Sequence, residues 1–306
     1  MTSIRWRASG VLCKPIFVQK DSPEAHGQAI LQVEKMNHPC IIGTPIPNDI
    51  DIHDRFVLLI TGPNASGKST YARMCCVSII LAQIGCMLPA VSAKMTCYDQ
   101  IFTRIGASDR IFNGQSTFAV ESSETARLMK HATSDSFVVL DELGRGTSTL
   151  DGIAIASSVL DFFINKVKCP LVFCTHYHVL AEEFEQFPMV RNASMKYEIS
   201  NGNLTLAYTL IDKMCPSSFG CRVAKICGLP ADLTEEAQKV ADDFEDRHAA
   251  LRTSGIDVKV ETIEERRDII DLKKAIDDLT GGVVNEQNFY KFMDFLSKEL
   301  PKINVE

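Results

Sequence analysis

Residues 56–70 read FVLLITGPNASGKST: an apolar run of strand length, a short Gly-containing turn, then Lys-Ser-Thr opening a helix-like segment. Positions 62–69 fit the spacing GxxxxGK[ST], and the strand before and the helical pattern after supply the context that a bare match lacks. That arrangement binds anions, because backbone N–H groups of the loop and of the first helical turn converge where the helix dipole favours negative charge. In such a loop Lys68 reaches the outer phosphates and the Ser69 hydroxyl is placed to ligate Mg²⁺. The residues expected to cradle phosphate are Gly62, Pro63, Asn64, Ala65, Ser66, Gly67, Lys68, Ser69 and Thr70. Ala65 and Ser66 are small enough to let the backbone approach a ligand, although a side chain at position 66 restricts the φ values open there.

The 306 residues are 45% hydrophobic and 23% charged, enough for one large core or two smaller ones. A formal net charge of -7 leaves no global positive field to gather nucleic acid, so this chain alone is a poor grip for it. The 11 cysteines are scattered, with no CxxC pair and no cysteine–histidine spacing that suits zinc, a pattern expected of reduced buried thiols inside a cell. The start MTSIRWRASGVL has no sustained apolar core, which argues against a secretory signal. The most apolar stretch, CCVSIILAQIGCMLPAV at 75–91, is interrupted by Gln83, Gly85 and Pro89 and reads as a buried helix; no membrane contact is expected.

Residues 14–36, KPIFVQKDSPEAHGQAILQVEKM, form a mixed polar stretch of weak periodicity that reads as a lead-in rather than a domain. From HPCIIG onward short apolar runs recur (FVLLITG, IFTRIG, FVVLDE, LVFCTH), separated by the helical patterns KSTYARMCCVSIILAQIG, AVESSETARLMKHA and LDGIAIASSVLDFFINKV. That alternation predicts an α/β fold, a mostly parallel sheet flanked by helices on both faces. Two β-rich runs around Asn201-Gly202 predict a β-hairpin, and from about Pro230 the composition turns charged and helical.

Two further strand ends carry chemistry. FVVLDE closes on consecutive carboxylates, with Asp141 near the metal and Glu142 one residue further on, where it can polarise an attacking water. LVFC closes on Thr175 and His176, a position from which an imidazole can hydrogen-bond a terminal phosphate, since ligands of open α/β sheets gather at strand ends. Between the phosphate loop and FVVLDE, NGQS at 113–116 precedes a helix; Ser116 is an ordinary N-cap by its type, and the same free N–H groups could meet an anion.

In order, TGPNASGKST, FTRIGASDRIFNGQSTFAVESSETA, LDELGRGTSTLDGIAIA and CTHYHVL strongly resemble the ATPase domain of the MutS family of DNA mismatch-repair proteins, and HPCI and PSSFGCRVAKICGLP extend the likeness over about residues 36–245. The GASDRI and PIPNDI wording is most like the branch of the sixth eukaryotic MutS homologue. The resemblance implies a P-loop ATPase of the ATP-binding-cassette type that binds ATP and Mg²⁺ in composite sites of a dimer. It implies Glu142, Lys68 and His176 as catalytic residues, Ser69 and Asp141 at the metal, and Ser116 on a partner's nucleotide. GRGTSTLD at 144–151 would cross the dimer interface, and Tyr208 would pack on the adenine with Pro45 or Ile46 nearby. It further implies a heterodimer with a second MutS-type subunit in the nucleus, its ATP cycle driving mismatch verification and sliding-clamp formation. Mismatched double-stranded DNA would be held by domains outside this chain.

On this reading residues 1–35 are a remnant of a preceding clamp or lever region, 36–229 the ATPase domain, and 230–306 a helical dimerisation region and tail. Two departures stand out. The family loop normally reads Pro-Asn-Met-Gly-Gly-Lys, so Ala65 and Ser66 replace a Met and a Gly, and the chain is much shorter than full MutS proteins. An ATPase subunit of a transporter or chromosome-organising complex would share the nucleotide chemistry, but TGPN and DELGRGTST argue against it. A truncated module that binds nucleotide and a partner without repair activity remains an alternative.

Overall fold

A computed structural model describes residues 11–41, 43–106, 117–200 and 203–253, with the side chains of Asn203 and of 244–253 left out. The expected Asn201-Gly202 turn, Ser116 and the tail at 255–306 lie outside the described residues. The chain divides into two compact units, Met1–Gln238 and Lys239–Glu306.

The strands are β1 Ile16–Phe17, β2 Leu31–Met36, β3 Asn48–Ile52, β4 Val57–Thr61, β5 Ser92–Met95, β6 Ile101–Arg104, β7 Phe137–Asp141, β8 Leu171–Cys174, β9 Val190–Ser200 and β10 Asn203–Ile211. The helices are α1 Lys68–Gln83, α2 Thr117–His131, α3 Thr149–Phe162 (continued by a π-helical turn to Val167), α4 His178–Glu183, α5 Gly220–Ile226 and α6 Ala231–Thr253. A six-stranded sheet runs β10-β9-β4-β8-β7-β6, parallel from β9 to β6, with β10 returning antiparallel to β9. Ser200 pairs with Asn203, so the hairpin predicted from Asn201-Gly202 is present on both sides of that dipeptide.

Every residue of β4, β7 and β8 is buried, as a parallel sheet covered on both faces requires. Alternate residues divide between two cores. Leu58, Ile60, Val139, Val172 and Cys174 face α1 through Tyr71, Cys75 and Ile79. Leu59, Val138, Leu140, Leu171 and Phe173 face α3 and its extension through Ala156, Leu160 and Phe163. Of the helix expected over 75–91 only the part to Gln83 is helical, as the second half of α1, and the chain leaves the helix at Ile84 and Gly85; no helix among the described residues is long and apolar enough to cross a membrane.

The segment read as a lead-in differs from expectation. β1 and β2 arise within it and join β5 and β3 in a second sheet, ordered β1-β5-β2-β3 and mainly antiparallel. Leu31, Val33 and Met36 are buried in the same cluster as Ile60 and Ile79. The register shift between Val33 and Met36 explains why the period of two was hard to see. One face of the main sheet is thus covered by α1 together with a second sheet, rather than by helices alone. Leu31→Ala is expected to lower the stability of this unit by about 2–5 kcal/mol, within a single cooperative denaturant transition. A separate early transition for residues 11–36 would show that the two sheets do not share a core.

Candidate nucleotide site

Register places three motifs side by side. Ile60 of β4 and Asp141 of β7 are both aligned with Cys174 of β8, so the strands end together and release Gly62, Glu142 and His176 at one rim. Backbone bonds from Thr175 N to Ile60 O (3.0 Å) and from Glu142 N to Cys174 O (2.9 Å) extend the ladder one residue past the strands.

From β4 the chain turns through 62–67 into α1. Gly67, at φ 102°, takes the left-handed conformation that starts the helix, and no side chain caps that end. The Lys68 amino group crosses the loop and donates to the carbonyl oxygens of Gly62 (2.8 Å) and Pro63 (3.0 Å). Burial pulls its pKa down, while Cys174, Glu142 and Asp141 act in the opposite direction. Residues 64–71 line a cavity of about 710 Å³ whose wall also holds His38, Pro45, Ile46, Glu142, Arg145 and Tyr208. The backbone restriction expected at Ser66 falls instead on Ala65, which sits at φ 60°; Ser66 is not among the positive-φ residues.

Asp141 is 4% exposed. The Ser69 side chain lies near enough to its carboxylate to lower its pKa, while Oδ1 is buried with no hydrogen-bond partner among the described residues. Burial raises the Asp141 pKa, and the neighbouring Ser69 hydroxyl opposes that rise. A hydroxyl beside a buried carboxylate with a vacant acceptor is a hard-oxygen donor set, which fits Mg²⁺. Glu142 occupies φ 56°, an uncommon conformation for a side chain of this size, and its Oε2 lies 2.5 Å from Arg145 Nη1. Asp141 and Glu142 also border a smaller cavity of about 210 Å³ with Arg104, Thr117 and Glu121. His176 lies against Tyr177, the ring centroids 4.2 Å apart, and burial lowers its pKa despite the opposing pull of Glu142. A neutral imidazole is the form that both donates and accepts a hydrogen bond. His176 lines neither cavity, and Gly62 and Pro63 contribute carbonyls to Lys68 rather than wall.

Tyr208 reaches the cavity by an irregularity in β10. The register with β9 shifts between Leu206 and Leu210, and Tyr208 within the bulge takes φ 57° and stays 45% exposed. Its ring stands beside the loop: a Cβ placed on Gly67 would lie 3.4 Å from Tyr208 Cδ1. Asn48, a residue that motif reading passed over, holds the bulge from β3. Its Nδ2 donates to Tyr208 O (2.9 Å) and its Oδ1 accepts from Leu210 N (2.7 Å). No local pattern could reveal this pair, since 160 residues separate its members.

The loop after Glu142 is held at Gly144. Its N–H donates to Glu121 Oε1 and its carbonyl accepts from Tyr177 OH at 3.0 Å. A Cβ at Gly144 would lie 2.5 Å from Gly152 O, so only glycine fits. Glu121, itself buried, pairs with Arg104 at 3.3 Å.

Fold and site together define a mixed α/β P-loop protein. The sequence model of MutS domain V matches residues 58–245, and the chain belongs to the MutS family. It is 40% identical over 262 residues to DNA mismatch repair protein MSH7 of Arabidopsis thaliana, covering 76% of this chain and 24% of that protein. It is 38% identical over 263 residues to DNA mismatch repair protein Msh6 of Gallus gallus, covering 79% and 19%. It is 35% identical over 296 residues to DNA mismatch repair protein MutS of Lactobacillus delbrueckii subsp. bulgaricus, covering 93% and 34%. The chain thus spans between about a fifth and a third of these relatives.

Replacing Ala65 by Gly removes a Cβ from a left-handed position and is expected to raise stability by roughly 1 kcal/mol, measured by denaturant titration. A loss of stability would place the strain elsewhere. Asn48→Ala leaves the bulge carbonyl and N–H without their partner, with an expected stability loss of about 1–3 kcal/mol.

Proposed function

We propose that this chain is the ATP-binding and ATP-hydrolysing domain of a MutS-type DNA mismatch-repair protein. The observation that carries this reading is the shared register of β4, β8 and β7, which gathers Lys68, Asp141, Glu142 and His176 at adjacent strand ends. The triphosphate would lie along residues 62–70, with loop and helix N–H groups on its oxygens and Lys68 leaving the Gly62 and Pro63 carbonyls for the β- and γ-phosphates. Ser69 and Asp141 would hold Mg²⁺, which when bound neutralises charge on the phosphoryl oxygens. Glu142 would orient a water in line with the γ-phosphorus and take its proton. His176, neutral because it is partly buried, would hydrogen-bond the γ-phosphate. Tyr208 would stack on the adenine, with Pro45 and Ile46 completing the wall.

In this reading two such domains pair in the ATP-binding-cassette manner, Ser116 completes the partner's site, and GRGTSTLD lies between the subunits. The partner is a second MutS-type subunit in a heterodimer, and the GASDRI and PIPNDI wording favours the branch of the sixth eukaryotic homologue. Eukaryotic relatives support a nuclear protein. The ATP cycle would drive mismatch verification and sliding-clamp formation on double-stranded DNA gripped by parts outside this chain, consistent with its net charge of -7.

Glu142→Gln tests the assignment. With a MutS-type partner present, steady-state ATP hydrolysis should fall by roughly a hundredfold or more while ATP binding persists. Turnover equal to that of the unaltered chain would reject Glu142 as the base and favour a nucleotide-binding module without catalysis.

A further inference from the structure

Outside the residues that line the nucleotide cavity, His26, His53 and Asp54 each bring a potential ligand atom to within 4.8 Å of the other two. Two segments meet there. His26 sits in a loop fixed by backbone bonds from Ala25 and His26 N–H to Ser22 O and from Gly27 N–H to Lys20 O, with Ala25 buried beneath it. His53 and Asp54 follow β3 directly after the buried Ile52.

The hydrogen bonds of His53 decide which atoms are free. Its Nε2 lies 2.7 Å from the Glu24 carbonyl oxygen, which can only accept, so Nε2 carries the proton and Nδ1 of the neutral ring presents a lone pair. Nδ1 faces Asp54 Oδ1 at 3.3 Å. Two acceptors at that distance call for a proton or a cation. A proton would satisfy the pair alone; the His26 ring, its centroid 5.8 Å from that of His53 and tilted by 40°, adds a third donor that a shared proton does not need. An imidazole anchored by its far N–H to a backbone carbonyl is also how proteins orient metal-ligating histidines. The Glu24 carboxylate is engaged by Lys94 at 3.0 Å, which leaves its carbonyl as the anchor.

We propose that His26, His53 and Asp54 form a second cation site, selective for a borderline transition-metal dication such as Zn²⁺ and completed by water. Two imidazoles and one carboxylate suit zinc, nickel or copper, whereas calcium and magnesium prefer all-oxygen sets. Bound metal would staple the 20–28 loop to the turn between β3 and β4, close to where β4 begins. The site holds no cysteine, and its members are 27 residues apart, so no short spacing motif could have disclosed it.

The test titrates Zn²⁺ alone into the chain by calorimetry, with the exposed Cys40, Cys97 and Cys227 changed to Ser so that surface thiols do not compete. The expected result is one saturable equivalent that His26→Ala and His53→Ala each weaken by roughly tenfold or more. Co²⁺ in its place should give visible d–d bands without a thiolate charge-transfer band. His26 is exposed, so its variant should leave the metal-free melting temperature unchanged while losing the zinc-induced rise. Absence of saturable uptake, or an uptake that His26→Ala leaves intact, overturns the proposal.

Discussion

The site depends on one constraint, the parallel hydrogen-bond register that sets Ile60, Cys174 and Asp141 in a single row. Period-two alternation makes that register stiff: a slip of one residue in β4 would move Leu58 and Ile60 from the α1 core to the α3 core and invert every neighbour. The apolar packing on both faces therefore fixes where the phosphate loop stands relative to the two carboxylates and the imidazole. Chemistry at strand ends needs its groups placed to within a fraction of an ångström, and here buried valines and leucines away from the cavity supply that precision.

Around the cavity three side-chain-bearing residues occupy left-handed backbone: Ala65, Glu142 and Tyr208. Each such position costs on the order of 1 kcal/mol or more, so its neighbours must hold it. Glu142 is tied by its N–H to Cys174 O and by its carboxylate to Arg145; Tyr208 is tied by Asn48. At these two places glycine would relax the backbone but delete the carboxylate or the ring that faces the cavity. At Ala65 only a methyl group would be lost. The strain is thus coupled to chemistry at two of the three positions.

What could be read from the chain follows the range of the interactions involved. The phosphate loop, the Asp141-Glu142 pair and the His176 strand end are encoded within a few residues each, and the buried parallel strands announce themselves as uninterrupted apolar runs. β2 escaped notice because LQVEKM mixes polar residues into a bulged strand whose burial depends on partners 12 or more residues away. Asn48 and Glu121 escaped because their roles exist only after the chain has brought Leu210 and Gly144 to them. The left-handed residue fell at Ala65 rather than Ser66 because composition reveals that a turn is tight, but not which φ absorbs it.

Gly144 shows how the site communicates with its surroundings. Its N–H is bonded to Glu121 on α2, and its carbonyl to Tyr177, the residue after His176. With Gly152 packed against it, there is no room for the segment to slide independently. A displacement of α2 must then carry Gly144, and with it the backbone two residues from Glu142, or else break a buried hydrogen bond at about 1–3 kcal/mol. Arg104 adds to the link: it pairs with Glu121 at 3.3 Å and with Glu124 at 3.5 Å, so two carboxylates of α2 are held to the end of β6. Whatever bears on the start of α2 is therefore felt at the Glu142 carboxylate on the cavity wall, through contacts with little slack.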